Sequence, residues 1–599
     1  MSVLFAVHFC GSNMFFGMFF GMFSKGRICG LFSAVTLVVF YGQLCFAGNT
    51  PQVPSAAGPS SVAIKETTVD RFLRKMPLRK KLGQMFMIGF QGTELSDGLG
   101  TTIQQIAPGG LVIFGRNILT AQQIAQLLAD SQRASYRASG LPLLISTDQE
   151  GGDVIRIKTP TPLPSELALG KAANQATSEV AGEATGQLLR TLGFNMNLSP
   201  VLDVADANEL GFIGTRAFGS DPDLVARLGV SFSKGLLRSG ILPTAKHFPG
   251  HGAVIEDSHL KTPQRMCTLD ELFAKDLLPF LAMQNSFANQ WAVMLGNVAF
   301  PNIDSSGASA MTSKPIVTEL LRERMGFNGL VITDDIQMGS TGASREIRER
   351  VVRAIEAGAD VIVVAWNKRL QREFIDTLEQ AVKKGRLSIA RIDQSLRRII
   401  AAKKLVARKL QPLPSRRELQ LALSNPDFEK IATATVDARL NRPLDASEQA
   451  FKDETAGKDI LVFSANQRFS ASFKRGLKSA AHVRIFSLDT NRPYDVNRIM
   501  LANPRAVGVF YVSGYRAARV ATKISREAAS RMLAVTVEAQ SALTNAADFC
   551  LVADVYYRHP ELGQMVADHY FNADTHLLRA PSSAVSLVRP EVSAESPKE

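Results

Sequence analysis

The chain has 599 residues, too many for one small domain at about 150 residues per domain, although a single α/β barrel takes about 250 or more. Apolar residues make up 46% and charged residues 21%, with 44 Gly and 27 Pro, ordinary globular usage that excludes fibrous, collagen-like or mostly disordered chains. Lys plus Arg is 68 and Asp plus Glu is 55, a net +13; with no long basic run or aromatic-studded arginine stripe, the excess argues for solubility or attraction to an acidic matrix rather than for nucleic acid.

Residues 1–47 contain no acid and ten of the 34 Phe, with Lys25 and Arg27 as the strong bases. Lys25 and Arg27, the apolar run Ile28 to Tyr41 and the Cys45-Phe46-Ala47 end match the basic, apolar and small-residue regions of a secretory signal cleaved after Ala47. Ile28 to Ala47 also has about the 20 residues of a bilayer span, so an uncleaved anchor stays open, as does a start at Met22. Either reading predicts an exported protein, periplasmic or anchored facing the periplasm. Without this segment only Cys267 and Cys550 remain, which make no disulfide framework and no metal-type spacing.

Residues 48–66, rich in Pro, Ser and Gly, read as a flexible linker. Eight short apolar runs follow: MFMIGF (85–90), GLVIF (110–114), LLISTD (143–148), MNLSPVLD (196–203), TAKHFP (244–249), VMLGNV (293–298), LVITDD (330–335) and DVIVVAW (360–366). Amphipathic segments such as 121–135, 179–193 and 222–240 lie between them. Strands alternating with helices predict a (β/α)8 TIM-type barrel over 67–408, ending in a helix around Ile392 to Leu405. QPLPSRREL marks a linker over 409–425. Runs at 460–465, 483–488, 506–513, 531–539 and 549–556 predict a smaller α/β sandwich domain over 426–579 with a largely parallel sheet. The tail 580–599 has little to bury and reads as disordered.

In such barrels catalytic groups sit at the carboxyl ends of the strands. The unusual polar residues fall there: Asp148, Asp203, Lys246, His247, Asn297, Asp334 and Asp335. A strand buried on both sides should be apolar throughout, so these residues predict a polar pocket. The densest stretch is KHFPGHGAVIEDSH (246–259), which holds three of the chain's eight His. Its Pro and Gly preclude a regular helix, so His247 and His251 are not placed on one helical face, and no metal site is predicted. Asp257-Ser258-His259 sets a carboxylate two residues from an imidazole, a spacing suited to an acid/base dyad, though also to a loop histidine bonded for order alone. Asp334 is a competent nucleophile or cation stabiliser, and a fixed carboxylate suits an anomeric carbon. Asp335 beside it is placed to cap the following helix.

KHFPGHG followed by DSH, with TDQEGG (147–152), NLSPVLDV (197–204), TRAFGSDP (215–222), GFNGLVITDD (326–335) and RIDQSLRRI (391–399), resembles the family 3 glycoside hydrolases. More narrowly it is similar to their bacterial β-N-acetylhexosaminidase branch, over roughly residues 68–408. The resemblance implies Asp334 as nucleophile, His259 as acid/base and Asp257 as its orienting partner. It implies Asp148, Arg156, Arg216, Lys246 and His247 as the sugar-binding set. In that branch the DSH loop supplies the acid/base, whereas family 3 β-glucosidases draw a glutamate from the second domain. Two departures stand out: Asp153 where the family usually has Arg, and Asn297 where it usually has His. They bear on affinity and substrate detail more than on reaction class.

The expectation is thus a retaining exo-β-N-acetylglucosaminidase that needs no cofactor or metal. It would remove terminal GlcNAc from peptidoglycan fragments or related glycans and act as a monomer without nucleic acid. The rivals are another family 3 specificity, such as β-glucosidase or β-xylosidase, and a degenerate barrel that binds peptidoglycan without cleaving it.

Overall fold

The structure, a computed structural model, describes residues 67–205, 213–252, 254, 262–339, 344–365, 368–407, 412–440, 446–477, 482–487, 494–513, 520–521, 523–537, 548–554 and 561–572. The expected export segment, the linker 48–66, the tail 580–599, and both Asp257 and His259 lie outside the described residues.

Each of the eight expected runs overlaps a strand: β1 Phe86–Ile88, β2 Gly110–Val112, β3 Leu144–Thr147, β4 Met196–Asn197, β5 Leu242–Phe248, β6 Ala292–Leu295, β7 Leu330–Asp335 and β8 Val361–Val364, with β5 and β6 beginning two and one residues earlier than expected. They close in sequence order into a parallel barrel, with Phe86, Met87 and Ile88 of β1 opposite Ile362, Val363 and Val364 of β8. Every residue of β8 is buried, as a strand between a barrel interior and a ring of helices must be. The intervening helices carry local start and stop signals. Helix Gln175–Leu192 begins at Asn174, whose side chain accepts from Thr177 N–H, and ends at Gly193 with φ 102°, a left-handed turn that only glycine adopts without cost.

The segment 409–425, expected to be linker, departs from expectation: Arg416–Leu423 form a helix. Its Ser415 and Glu418 bond reciprocally to each other's backbone N–H, and the S-x-x-E signature was present behind the two prolines. Leu419 buries its side chain in the barrel's core, so this stretch is packed rather than loose.

Among the described residues the second domain has five strands: β9 Ile460–Ser464, β10 Val483–Ser487, β11 Val507–Ser513, β12 Met532–Val537 and β13 Leu551–Asp554. They pair in parallel in the order β10-β9-β11-β12-β13. Alternate residues feed two cores. Val462, Val509, Leu533 and Val535 face one side, and Leu461, Phe463, Phe510 and Ala534 the other, giving helix layers on both faces. Helix Glu166–Ala172 of the barrel reaches this domain: Ala168 belongs to the first of these cores, beside Ala432 and Val436 of helix Pro426–Leu440.

Candidate active site

One cluster of charged side chains lies at the carboxyl ends of β3, β4, β5 and β7. Two ladder irregularities coincide with them. The register of β5 against β6 shifts between Ala245 and Phe248, the interval that holds Lys246 and His247. That of β7 against β8 shifts between Ile332 and Asp335, the interval that holds Asp334. Such shifts re-aim side chains, and are enriched at barrel rims.

Beyond β3, Asn197 accepts from Gln149 N–H and donates to its carbonyl oxygen, both at 3.0 Å, which ties the ends of β3 and β4. The Gln149 side chain in turn accepts from the N–H groups of Arg156 and Ile157 at 2.9 and 3.0 Å. The chain therefore folds back, and Arg156 comes to lie 3.7 Å from Asp148. Lys246 Nζ, almost wholly buried, bridges Asp148 at 2.9 Å and Glu150 at 2.6 Å. Glu150 receives Arg216 as a two-pronged fork, Nε and one terminal nitrogen each at 2.9 Å. Burial alone would push the Glu150 carboxyl up; Arg216 and Lys246 outweigh it and hold it far below the usual carboxylate range. Burial likewise works against the Lys246 ammonium, and Asp148 and Glu150 win, holding its pKa above the ordinary value. The cluster is internally paired, as buried ions must be.

His247 Nδ1 lies 2.7 Å from Asp203 Oδ2. An ionised carboxylate only accepts, so Nδ1 carries the proton and Nε2 remains for another partner. Asp203 also accepts from the backbone N–H groups of His247 at 3.3 Å and His251 at 2.6 Å. Burial opposes its charge, but His247 and His251 keep its carboxyl below the ordinary range. His251 packs its ring 5.7 Å from that of His247, and burial pulls its own pKa down against the opposing charges of Asp203 and, among others, Asp334.

Asp334, half-buried at the end of β7, accepts from Asp335 N–H at 2.8 Å. Asp335 does not cap a helix as expected, because the next helix begins only at Ser344. Its Oδ1 instead accepts from Gln337 N–H at 3.3 Å and Ala365 N–H at 3.4 Å, tying β7 to the end of β8. Burial raises its pKa to about 6, despite these bonds.

The departures from the family pattern separate. Asp153 is exposed on the turn between Gly151 and Val154. Asn297 is buried, accepting from Thr262 at 3.4 Å and donating to the Met338 carbonyl oxygen at 3.4 Å. It therefore links a residue just beyond the stretch holding Asp257 and His259 to the turn after Asp334. The flanks of that stretch also meet at Asp276, which accepts from Arg265 at 2.5 Å and on which Gly250 lies so closely that a Cβ there would stand 2.8 Å from the Asp276 Cβ.

Of the residues predicted from sequence, Asp148, Arg156, Arg216 and Lys246 come together around one set of ion pairs through Glu150, His247 pairs separately with Asp203, and Asp334 lies on the same face of the barrel. Two further carboxylates belong to the site: Glu150, inside the TDQEGG motif, and Asp203, a polar residue at a strand end. No group of three or more His, Cys, Asp or Glu among the described residues is arranged to hold a metal ion.

Residues 77–402 match the model of the glycosyl hydrolase family 3 N-terminal domain. The chain is 34% identical over 295 residues to a beta-hexosaminidase of Idiomarina loihiensis, covering 48% of this chain and 86% of that one. It is 36% identical over 288 residues to a beta-hexosaminidase of Xanthomonas campestris pv. campestris strain B100, covering 47% and 84%. A family 3 beta-N-acetylglucosaminidase from Paenibacillus sp. str. FPU-7 superposes with a TM-score of 0.67 at 27% identity, over 82% of this chain and 96% of that one. The sequence relatives thus match about half the chain, and the Paenibacillus structure matches most of it.

Proposed function

The chain belongs to glycosyl hydrolase family 3 and is a glycoside hydrolase, and from that premise we propose that it is a retaining exo-β-N-acetylglucosaminidase. Its substrate would be a peptidoglycan fragment or related glycan with GlcNAc at the non-reducing end. The observation that carries this reading is a half-buried carboxylate, Asp334, at the end of β7, on the barrel face that also presents the Lys246–Asp148–Glu150–Arg216 cluster and His247. The naming of the relatives as beta-hexosaminidases and of the Paenibacillus protein as a beta-N-acetylglucosaminidase supports the acetamido sugar.

In this mechanism an Asp334 oxygen attacks the anomeric carbon as the bond to the aglycone breaks, and His259 gives its proton to the leaving oxygen. His259 then takes a proton from water, whose oxygen displaces Asp334 and restores the free carboxylate. Asp257 orients the imidazole. Asp148, Arg156, Arg216, Lys246 and His247 hold the sugar hydroxyls. We place the enzyme outside the cytoplasm on the strength of residues 1–47, and read it as a monomer.

The test is release of nitrophenol from the β-N-acetylglucosaminide and the β-glucoside, with Asp334→Ala alongside, and release of free GlcNAc from muropeptides. Preference for the acetamido sugar, lost in Asp334→Ala, supports the proposal. Preference for the glucoside moves the enzyme to another family 3 specificity, and turnover of neither makes it a binding barrel. A slow fluorosugar substrate should leave one glycosyl unit on Asp334 by mass spectrometry, and inverted product stereochemistry would exclude the retaining route.

A further inference from the structure

Three of the neighbours of helix Glu166–Ala172 are each met by a different residue. Ala168 packs into the core of the second domain with Ala432 and Val436. Gly170 lies flush on the segment that carries Arg216; a Cβ there would stand 1.6 Å from the Phe218 carbonyl oxygen, so no larger residue fits. Glu166, almost wholly buried, accepts from Ser199 Oγ at 2.9 Å and from Val201 N–H at 2.9 Å.

The segment Ser199–Leu202 is the rail along which the end of β5 is laid. Thr244 N–H donates to Ser199 O at 3.0 Å, Lys246 N–H to Pro200 O at 3.2 Å, and Leu202 N–H to Lys246 O at 2.7 Å. Asp203, which holds His247, comes directly after it. Moving this rail moves Lys246, His247 and Asp203 together. Val201 N–H has its acceptor in Glu166, and removing that acceptor leaves a buried donor unsatisfied, a loss the backbone can relieve only by shifting.

We propose that Glu166 is a positioning residue through which the second domain holds the sugar pocket of the barrel in register. Resting on the reading of that pocket as the sugar subsite, this gives the second domain a task without any of its residues entering the pocket. Burial, with the negative charge of Glu150 nearby, pushes the carboxyl well above the usual range, and the bonds from Ser199 and Val201 and the charge of Lys246 do not cancel that. A glutamine keeps an oxygen to accept from Val201 N–H and an amide to bond Ser199 Oγ, so it can take the carboxyl's place.

The experiment measures KM and kcat on nitrophenyl β-N-acetylglucosaminide for the full chain as wild type, Glu166→Gln, Glu166→Ala and Ala168→Leu, with Leu236→Ala in the barrel wall as a variant of comparable stability loss. Glu166→Gln should stay within about twofold of wild type in both constants. Glu166→Ala and Ala168→Leu should raise KM about tenfold, the scale of one misplaced hydrogen-bonded group, with a smaller change in kcat. Leu236→Ala should lower the melting temperature and leave KM alone. Glu166→Gln behaving like Glu166→Ala, or a wild-type KM in Ala168→Leu, overturns the proposal. If Glu166→Ala does not fold, Glu166→Gln and Ala168→Leu still decide it. A wild type inactive on every glycoside overturns the proposed activity instead, and calorimetric binding of GlcNAc then replaces KM as the readout.

Discussion

At the amino-terminal end of the barrel, Asp360 sits fully buried just before β8 with Arg322 at 2.6 Å, Arg398 at 3.3 Å and Arg391 at 4.0 Å. It also accepts from Ser395 Oγ at 2.7 Å and Val331 N–H at 3.1 Å. At the carboxyl end, Glu150 is just as buried, between Arg216 and Lys246. The two clusters look alike as lists of residues and differ in what surrounds the cations. Arg322 spends further donors on the carbonyls of Phe327 and Gly329, and Arg391 on those of Ile355 and Ala359, so the lower cluster closes on itself. Exposure does not separate them, since side-chain accessibilities are 17, 27 and 18% at Asp148, Arg156 and Arg216 and 8, 15 and 18% at Arg322, Arg398 and Arg391; the upper cluster lies instead at the end of the barrel where Asp334 and His247 also stand. Buried charge alone does not mark a functional site; charge at the carboxyl ends of the strands does.

The contrast gives RIDQSLRRI a physical meaning. Arg391, Ser395 and Arg398 of that motif all reach Asp360, and Asp393 pairs with Lys81 at 2.7 Å. The motif helps to close the base of the barrel and carries no chemistry. The same end holds Lys403, wholly buried, whose Nζ donates to Gln84 Oε1 at 2.6 Å, and burial brings its pKa down to about 7.

The sharpest way to break the comparison is Asp360→Ala. It leaves three buried guanidinium groups without their carboxylate and should cost about 3–5 kcal/mol of stability, read from urea unfolding, with activity per folded molecule retained. An unfolding midpoint equal to wild type would show that the lower cluster is not what closes the base.

Lys403→Met comes next. The amine's pKa is about 7 folded against 10.5 for a free lysine, so its contribution to stability is greatest above the unfolded pKa and is lost as pH falls toward 7, where the fold must accept a proton the unfolded chain already holds. The variant should therefore gain on wild type between pH 10 and pH 7 and keep a constant advantage below, about 2–4 kcal/mol after the cost of leaving Gln84 Oε1 unpaired. A pH-independent difference would mean that Lys403 is charged in the fold.

Glu150→Gln tests the upper cluster. Removing the charge that Arg216 and Lys246 share should lower kcat/KM by about 100-fold, while folding suffers less than in Asp360→Ala. An effect on stability alone would move Glu150 into the class of Asp360.

The smallest effect is expected from Asp335→Asn. With a folded pKa near 6 against 3.8, Asp335 contributes stability that is fully present below the unfolded pKa and lost as pH rises through 6. The asparagine keeps the bonds from Gln337 and Ala365 without the charge, so it should be more stable than wild type by about 1–3 kcal/mol at pH 7 and equal to it at pH 3.5. Identical urea midpoints at both pH values would place the raised pKa elsewhere.

The strands and most barrel helices were legible in the chain because their signals are local: apolar runs for strands buried on both faces, amphipathic periods and caps for the helices. Proximity in sequence also exposed Lys246 and His247, an unusual pair inside an apolar run. Helix Arg416–Leu423 was hidden by reading its prolines as a break, although prolines ahead of Ser415 are compatible with a helix start. The sequence by itself thus determined the barrel, the second parallel sheet and the residues near which chemistry would lie. Only the tertiary structure decided which carboxylates are paired and which are presented. Glu150 meets Arg216 across 66 residues, Asp203 meets His247 across 44, and Glu166 meets Val201 across 35. A carboxylate's charge state and task are set by desolvation and by the partner that closure of the barrel brings to it, and neither is written in the neighbouring residues.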